Sequence, residues 1–168
     1  MNRDDTVLID TNAIIEGVRT GCWRAITGQL RVETVEACRE EALARPVTPL
    51  SEYVPVSEDD IQRLAAVHAV GLATRAAFVL AYPDASGLDV GEHQLLAHAF
   101  SRSDEAWVVC SPDKASIRAA VALDLGDRLC SLEELVDAVG ARPQPPLRAH
   151  FKTEWLVSFR TKVRLEWL

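Results

Sequence analysis

The chain has 168 residues, of which 48% are hydrophobic and 26% are charged, and its net charge is -7. This length and composition predict one soluble globular domain with a substantial core. The negative charge argues against non-specific nucleic-acid binding by the whole surface, and no apolar run approaches the roughly 20 residues of a membrane span.

The first predicted strand is the apolar run Val7-Leu8-Ile9, and it ends at Asp10. Thr11 and Asn12 follow, and a helix is predicted from Ala13 to Val18. Parallel α/β sheets place their chemistry at the carboxyl ends of strands, and an acid beside a helix N-terminus there can hold a cation or orient a phosphate. The alternative interpretation is that Asp10 only caps the helix.

The next segments continue the alternation of helix and strand. A short helix is predicted from Cys22 to Gly28, a strand from Leu30 to Val35 and a helix from Glu36 to Ala44. Glu40 lies one turn after the start of that last helix. A proline-rich, irregular loop is predicted from Val47 to Val56.

A long helix is predicted to begin after Ser57, its N-cap, and Gly71 is a candidate break within it. Its apolar face is formed by residues at helical spacing, namely Ile61, Leu64, His68, Leu72 and Val79. On such a face His68 is interpreted as a packed core histidine in preference to a metal ligand.

Asp89 is predicted to cap a helix that runs to about Ser101. Glu92 lies in the first turn, above an inward-facing stripe of apolar side chains formed by Leu95, Leu96 and Ala99. A lone inward carboxylate is costly, so Glu92 is expected to have a metal ion or a basic partner.

Ala106 to Cys110 repeats the pattern of the first strand. It is apolar, it is followed by Ser111-Pro112-Asp113-Lys114, and a helix is predicted from Ala115 to Leu123. A short strand over Arg128 to Cys130 and a helix over Leu132 to Val139 complete the alternation. This order predicts an α/β fold with a parallel sheet and helices on both faces.

The tail after the linker Gly140 to Pro146 alternates with period two, which predicts a long amphipathic strand that must pair with a sheet edge, a second copy or a partner chain. One face contains Trp155, Val157, Phe159, Val163, Leu165 and Trp167. The other face includes Arg160, Lys162 and Arg164. These cations are interpreted either as phosphate contacts or as charges that keep an edge strand soluble.

Four acids have related positions. Asp10 and Asp113 follow parallel strands, and Glu40 and Glu92 lie early in helices. Carboxylates around one cleft repel each other unless divalent cations neutralise them, and hard oxygen ligands select Mg²⁺ or Mn²⁺. Such ions polarise a phosphodiester, activate water and stabilise the leaving oxygen. Hydrogen bonds to the carboxylates, to water or to phosphate are expected from nearby polar side chains, namely Thr11, Asn12 and Ser111.

Together these segments resemble a PIN domain over about residues 5 to 140. The resemblance rests on the first strand with its Asp-Thr-Asn, on Glu40, on the Gly91-Glu92 helix start and on Val109 to Lys114. It implies a three-layer α/β/α sandwich with a central parallel sheet over residues 1–142. A proline-rich linker and a strand-like tail, a C-terminal β-strand extension, are predicted for residues 143–168.

The resemblance also implies an acidic, metal-dependent nuclease pocket that acts mostly on RNA. Many bacterial members are toxins of toxin–antitoxin pairs and form homodimers, so an antitoxin and a second copy are expected partners. The family's catalytic, metal-binding acids carry over to Asp10, Glu40, Glu92 and Asp113, with Mg²⁺ or Mn²⁺ as cofactor. The commonest form of the family has Asp as the third acid, so Asp89 competes with Glu92. Residues expected to contact substrate or to orient the acids are Thr11, Asn12, Ser111 and Lys114.

Two other functions compete with a ribonuclease. The acidic charge and the alternating tail suit a catalytically inactive PIN-like module that binds RNA or a protein partner. A phosphatase with Asp10 as nucleophile is disfavoured, because haloacid-type phosphatases need a second acid two residues later and Asn12 stands there.

A cytoplasmic location is expected, because the N-terminus lacks a basic-then-apolar signal pattern. The four cysteines are scattered and form no C-x-x-C motif, which is typical of reduced, buried thiols.

Overall fold

The computed structural model describes residues 6–44, 54–102 and 106–166. Its strands form one sheet of order β3-β2-β1-β4, in which all pairings are parallel. The strands are β1 (Thr6–Ile9), β2 (Arg31–Val35), β3 (Ala66–His68) and β4 (Trp107–Cys110). Because the strands are parallel, their carboxyl ends lie at a common edge of the sheet.

The helices follow the strands in the order that the sequence predicts for an α/β fold. They are α1 (Thr11–Arg19), α2 (Trp23–Gln29), α3 (Glu36–Leu43), α4 (Glu58–Ile61), α5 (Leu72–Ala81), α6 (Val90–Ser101), α7 (Lys114–Ala122), α8 (Leu132–Ala138) and α9 (Thr153–Arg164). None of them is both long and apolar enough to cross a bilayer, within the part of the chain that the structure describes.

The core lies on both faces of the sheet. Val7 and Ile9 of β1 pack in one cluster with side chains of α1, α2 and α8. Leu8, which points the other way, packs with side chains of α5, α6, α7 and α9. Helices therefore cover both faces, and the fold is compatible with the three-layer α/β/α arrangement.

The C-terminal tail is a helix, so the predicted β-strand extension is wrong. α9 buries Leu156 and Phe159, which are three residues apart, whereas Val157 is 45% exposed. This is helical spacing, because a strand would bury Val157 with Phe159. α9 packs against α7, and Arg160 at its centre donates to the carbonyl oxygen of Gly126 at 3.0 Å.

The long helix predicted after Ser57 is also wrong. Ser57 does cap a helix, with the Asp60 side chain completing a capping box, but that helix ends at Ile61. The chain then forms β3, which ends at His68, before α5 begins. Predicted features over residues 45–53, most of the proline-rich loop, lie outside the described residues.

The predicted strand over Arg128 to Cys130 is reduced to a single parallel bridge between Leu129 and Val109. A 3-10 turn over Gly126–Arg128 precedes this bridge. The amide of Cys130 donates to the carbonyl oxygen of Val109 at 2.9 Å, so the segment still extends the sheet beyond β4.

Candidate active site

Asp10 and Asp113 lie at the same edge of the sheet, as the sequence predicts. Asp10 directly follows β1, and Asp113 lies three residues beyond the end of β4. These two strands are neighbours, and the amide of Asp10 donates to the carbonyl oxygen of Cys110 at 3.0 Å. Strand pairing therefore brings together two acids that are about 100 positions apart in the chain.

The side chain of Asp10 is buried without a capping role. It is 2% exposed, it makes no capping hydrogen bond to α1, and its Oδ2 has no hydrogen-bond partner among the described residues. The pKa of Asp10 is raised to about 7: burial is the main cause, the charges of Asp89 and Glu41 add to it, and the Asn12 and Thr11 N–H groups oppose it. A helix cap does not account for this carboxyl group.

The second acid of the cluster is Glu41, and the predicted residue Glu40 lies elsewhere. Glu40 is exposed on α3. Oε2 of Glu41 accepts a hydrogen bond of 2.8 Å from the Thr11 hydroxyl, and its Oε1 accepts one of 3.2 Å from the Gly91 amide. The Glu41 carboxylate is thus fixed between the starts of α1 and α6.

Gly91 makes this contact possible because it has no side chain. A Cβ at this position would lie 2.6 Å from Oε2 of Glu41, which is well inside van der Waals contact. The Gly91-Glu92 pair therefore has two separate roles: the glycine admits one carboxylate, and the next residue supplies another.

Glu92 and Asp89 form a reciprocal capping box at the start of α6. The Glu92 amide donates to Oδ1 of Asp89 at 2.8 Å, and the Asp89 amide donates to Oε2 of Glu92 at 3.1 Å. Asp89 is exposed, whereas Glu92 is 6% exposed. The structure therefore places both candidates for the third acid at this edge, and Glu92 is the buried one.

The carboxyl groups of Glu92 and Asp113 lie close enough to form a hydrogen bond when one of them is protonated. Burial, followed by this bond and the charge of Asp113, raises the pKa of Glu92 well above its usual range, although the Asp89 amide opposes the shift. Asp113 also caps α7, because its Oδ1 accepts from the amides of Ala115 and Ser116. Two carboxyl groups in contact can share one proton or bind a common cation.

The other predicted residues take different positions. The Thr11 hydroxyl holds Glu41, as described, and Ser111 is buried with its Oγ accepting a 3.4 Å hydrogen bond from the Asp113 amide. Asn12 and Lys114 are exposed beside Asp10 and Asp113. Glu41 was not predicted from the sequence. Its position next to Glu40 made it a candidate for the same role.

These contacts define an acidic cluster of five carboxyl groups. It consists of Asp10, Glu41, Asp89, Glu92 and Asp113. None of them forms an ion pair with Lys or Arg in residues 6–44, 54–102 and 106–166. Oxygen donors, a buried unpartnered carboxylate oxygen and raised pKa values are the chemistry of a site for a hard divalent cation. Among the described residues, however, no three of these carboxylates have ligand atoms that all lie within 4.8 Å of one another, so a bound cation would draw them closer together.

No protein-family model matches this chain, and no curated protein is significantly similar to it. The geometry of the acidic cluster is therefore the basis on which a function can be proposed.

A second polar group lies further back along the sheet, around the buried Glu33 of β2. Its carboxylate accepts hydrogen bonds from Arg31 at 2.7 Å and Arg102 at 2.7 Å, and it contacts Nε2 of His68 at 2.8 Å. Burial raises the pKa of Glu33, but these three partners outweigh it and lower the pKa to about 2. His98 stacks on His68, and the ligand atoms of the three residues lie within 4.8 Å of one another.

This Glu33 group differs from the acidic cluster because its carboxylate is already neutralised. Two guanidinium groups occupy the oxygens that a metal ion would need, and their charge opposes a cation. The contacts instead tie β2, β3 and the end of α6 together, which is a structural role for His68.

Proposed function

We propose that the chain is a Mg²⁺- or Mn²⁺-dependent ribonuclease of the PIN type, which hydrolyses RNA phosphodiester bonds. The observation that carries the proposal is the convergence of five carboxyl groups with no neutralising cation among the described residues. Clusters of acids with perturbed pKa values are typical of functional sites, and a structural ion pair would not raise these pKa values.

Some residues of the site would bind the cation, and others orient the carboxylates that do so. Asp10, Glu41, Glu92 and Asp113 would hold the cation or cations, and Thr11 and the Gly91 amide fix the Glu41 carboxylate in place. When bound, Mg²⁺ or Mn²⁺ supplies Lewis-acid polarisation of the phosphodiester and activation of water, so no side-chain nucleophile is required. The protons held by Asp10 and Glu92 at neutral pH leave when the cation binds.

A catalytically inactive PIN-like module that binds RNA or a protein is the second candidate. The surface of α5 favours it, because Leu72 and Leu80 are 77% and 84% exposed, and exposed apolar patches are typical of interaction sites. The antitoxin, the homodimer and the toxin role implied by the family resemblance stay predictions. Sizing chromatography of the purified chain tests the homodimer.

The neighbouring acids Glu40 and Glu41 on α3 allow the proposed ribonuclease activity to be tested with a matched control. We expect purified wild-type protein to cleave single-stranded RNA only when Mg²⁺ or Mn²⁺ is added. Asp10→Asn, Asp113→Asn and Glu41→Gln should each reduce the rate by at least about 100-fold, because each removes an oxygen donor of the cluster.

Glu40→Gln is the matched control, because it makes the same chemical change one residue away at an exposed position. It should cleave like the wild type, and circular dichroism should show that all variants are folded. Metal-dependent cleavage that persists in both Asp10→Asn and Glu41→Gln would refute the assignment.

A further inference from the structure

Two cations next to the acidic cluster are held over one aromatic ring. Lys114 directly follows Asp113, and Arg118 lies one turn later on the same face of α7. Nζ of Lys114 is 5.8 Å and Cζ of Arg118 is 5.4 Å from the centre of the Phe159 ring. Both distances lie within the range of a cation–π interaction.

The positive charges of Lys114 and Arg118 are available to bind an anion. Both are exposed, and neither pairs with a carboxylate in the described chain. Arg118 influences the pKa of Tyr82, as does the nearby exposed Asp84, but it forms no ion pair with that acid. Arg164 on the same side of the molecule differs, because it is paired with Asp127 at 2.6 Å.

The ring that positions the two cations comes from the C-terminal helix. Phe159 is 8% exposed and stacks on Trp155, with ring centres 5.5 Å apart and planes 4° from parallel. Leu156, on the same face of α9, is 4% exposed and anchors the helix. A fixed ring restricts the long Lys and Arg side chains, which lowers the entropy lost when they bind a ligand.

We propose that Lys114 and Arg118 form a phosphate-binding subsite, which holds the backbone of an RNA strand beside the bond that the acidic cluster cleaves. This inference rests on the proposed ribonuclease function. A chain with a net charge of -7 repels RNA over most of its surface. Unpaired cations beside Asp113 therefore contribute a large part of the affinity for RNA. The C-terminal helix then contributes to substrate binding through Phe159.

The test measures binding of a fluorescent single-stranded RNA oligonucleotide by anisotropy, at several salt concentrations. Ca²⁺ is present to neutralise the carboxylates, and a gel verifies that the RNA stays intact. We expect Lys114→Gln/Arg118→Gln to weaken binding by about tenfold or more at low salt. Each lost phosphate contact should also reduce the slope of log affinity against log salt by about 0.7, so the double variant should lose about 1.4.

Arg24→Gln/Arg63→Gln is the matched control, with the same change in net charge. Both arginines are exposed, and they lie in α2 and ahead of β3, near the amino ends of the strands. This control should keep the wild-type affinity and salt slope. Equal affinity and slope in the two double variants, or no binding of the RNA by the wild type, would overturn the subsite.

Cleavage in Mn²⁺, measured in parallel, separates the two proposals. If the wild type cleaves RNA and Lys114→Gln/Arg118→Gln binds RNA as tightly as the wild type does, the subsite is rejected and the ribonuclease is kept. Binding that depends on the two cations, without any cleavage in Mn²⁺ or Mg²⁺, rejects the ribonuclease and leaves Lys114 and Arg118 as the RNA-binding site of a non-cleaving module.

Discussion

Gly91 is in such close contact with the Glu41 carboxylate that any larger residue must displace it. An alanine Cβ would lie 2.6 Å from Oε2 of Glu41, and the flexible glutamate side chain would move away more easily than the backbone of α6. We expect Gly91→Ala to stay folded but to reduce Mn²⁺-dependent cleavage by about tenfold or more, because a misplaced ligand weakens the site.

Gly87→Ala is the control for that substitution. A Cβ there meets nothing within 4 Å, and the residue lies in the turn just before α6. Thermal unfolding and RNA cleavage of both variants provide the measurements. If Gly91→Ala cleaves RNA like Gly87→Ala, the Glu41 carboxylate does not have to occupy its observed position.

The buried carboxyl group of Asp10 makes stability depend on pH when no metal is bound. Its pKa rises from 3.8 to about 7, so between about pH 4 and pH 7 the folded protein holds a proton that the unfolded chain has released. The free energy of unfolding should therefore fall as pH rises through this window, with Asp10 contributing on the order of 4 kcal/mol. Glu92 acts in the same direction.

Urea unfolding in EDTA at pH 5 and pH 7.5 measures this dependence, and Asp10→Asn should be clearly less sensitive to pH. The lowered pKa values of His93 and His150 act in the opposite direction, but they do so in both proteins and cancel in the comparison. An identical pH dependence in the wild type and Asp10→Asn would show that Asp10 is not protonated in the folded, metal-free protein.

At the residue scale, the sequence predicts positions on strands better than positions on helices. Asp10 and Asp113 were placed correctly at one edge, because any residue that follows a parallel strand must lie there. Glu41 was missed because consecutive residues of an α-helix point about 100° apart, and the composition of α3 does not tell which acid faces the sheet edge. That choice depends on contacts with Thr11 and Gly91, which are far away in sequence.

At the scale of elements, the pattern of buried and exposed residues in α9 distinguishes a helix from a strand. Leu156 is 4% exposed and the adjacent Val157 is 45% exposed. We expect Leu156→Ala to reduce the free energy of unfolding by about 2–5 kcal/mol, since it leaves a cavity against the core. Val157→Ala should change it by less than about 0.5 kcal/mol. Urea unfolding of the two variants measures both effects, and a larger effect for Val157→Ala would contradict the helix.

The wrong predictions for two elements have a common physical cause. In the tail, Trp155, Val157 and Phe159 alternate like a strand, but a helix buries Leu156 and Phe159 and leaves the apolar Val157 in solvent. Before α5, apolar residues at helical spacing suggested one helix where the chain forms β3. Short apolar patterns fit either element, and pairing of β3 with β2 decided the outcome.

At the scale of the whole molecule, the acidic cluster couples the stability of the fold to divalent cations. A cation that binds only the folded state stabilises it by about 2.7 kcal/mol at 100 times its dissociation constant, which corresponds to a rise of about 5 to 10 °C in Tm for a chain of this size. We expect Mg²⁺ and Mn²⁺ to raise Tm in this way. The effect should be greater at pH 8 than at pH 6, because protons on Asp10 and Glu92 compete with the cation.

The same scan tests where the cation binds. Glu41→Gln should lose most of the shift and Glu40→Gln should keep it, because only Glu41 contacts the cluster. Mg²⁺ prefers oxygen ligands, so a shift with Mg²⁺ does not arise from His68 and His98 of the Glu33 group. An inactive binding module without a metal site predicts no shift in any variant. A shift that is equal in the Glu40 and Glu41 variants would place the cation outside the proposed site.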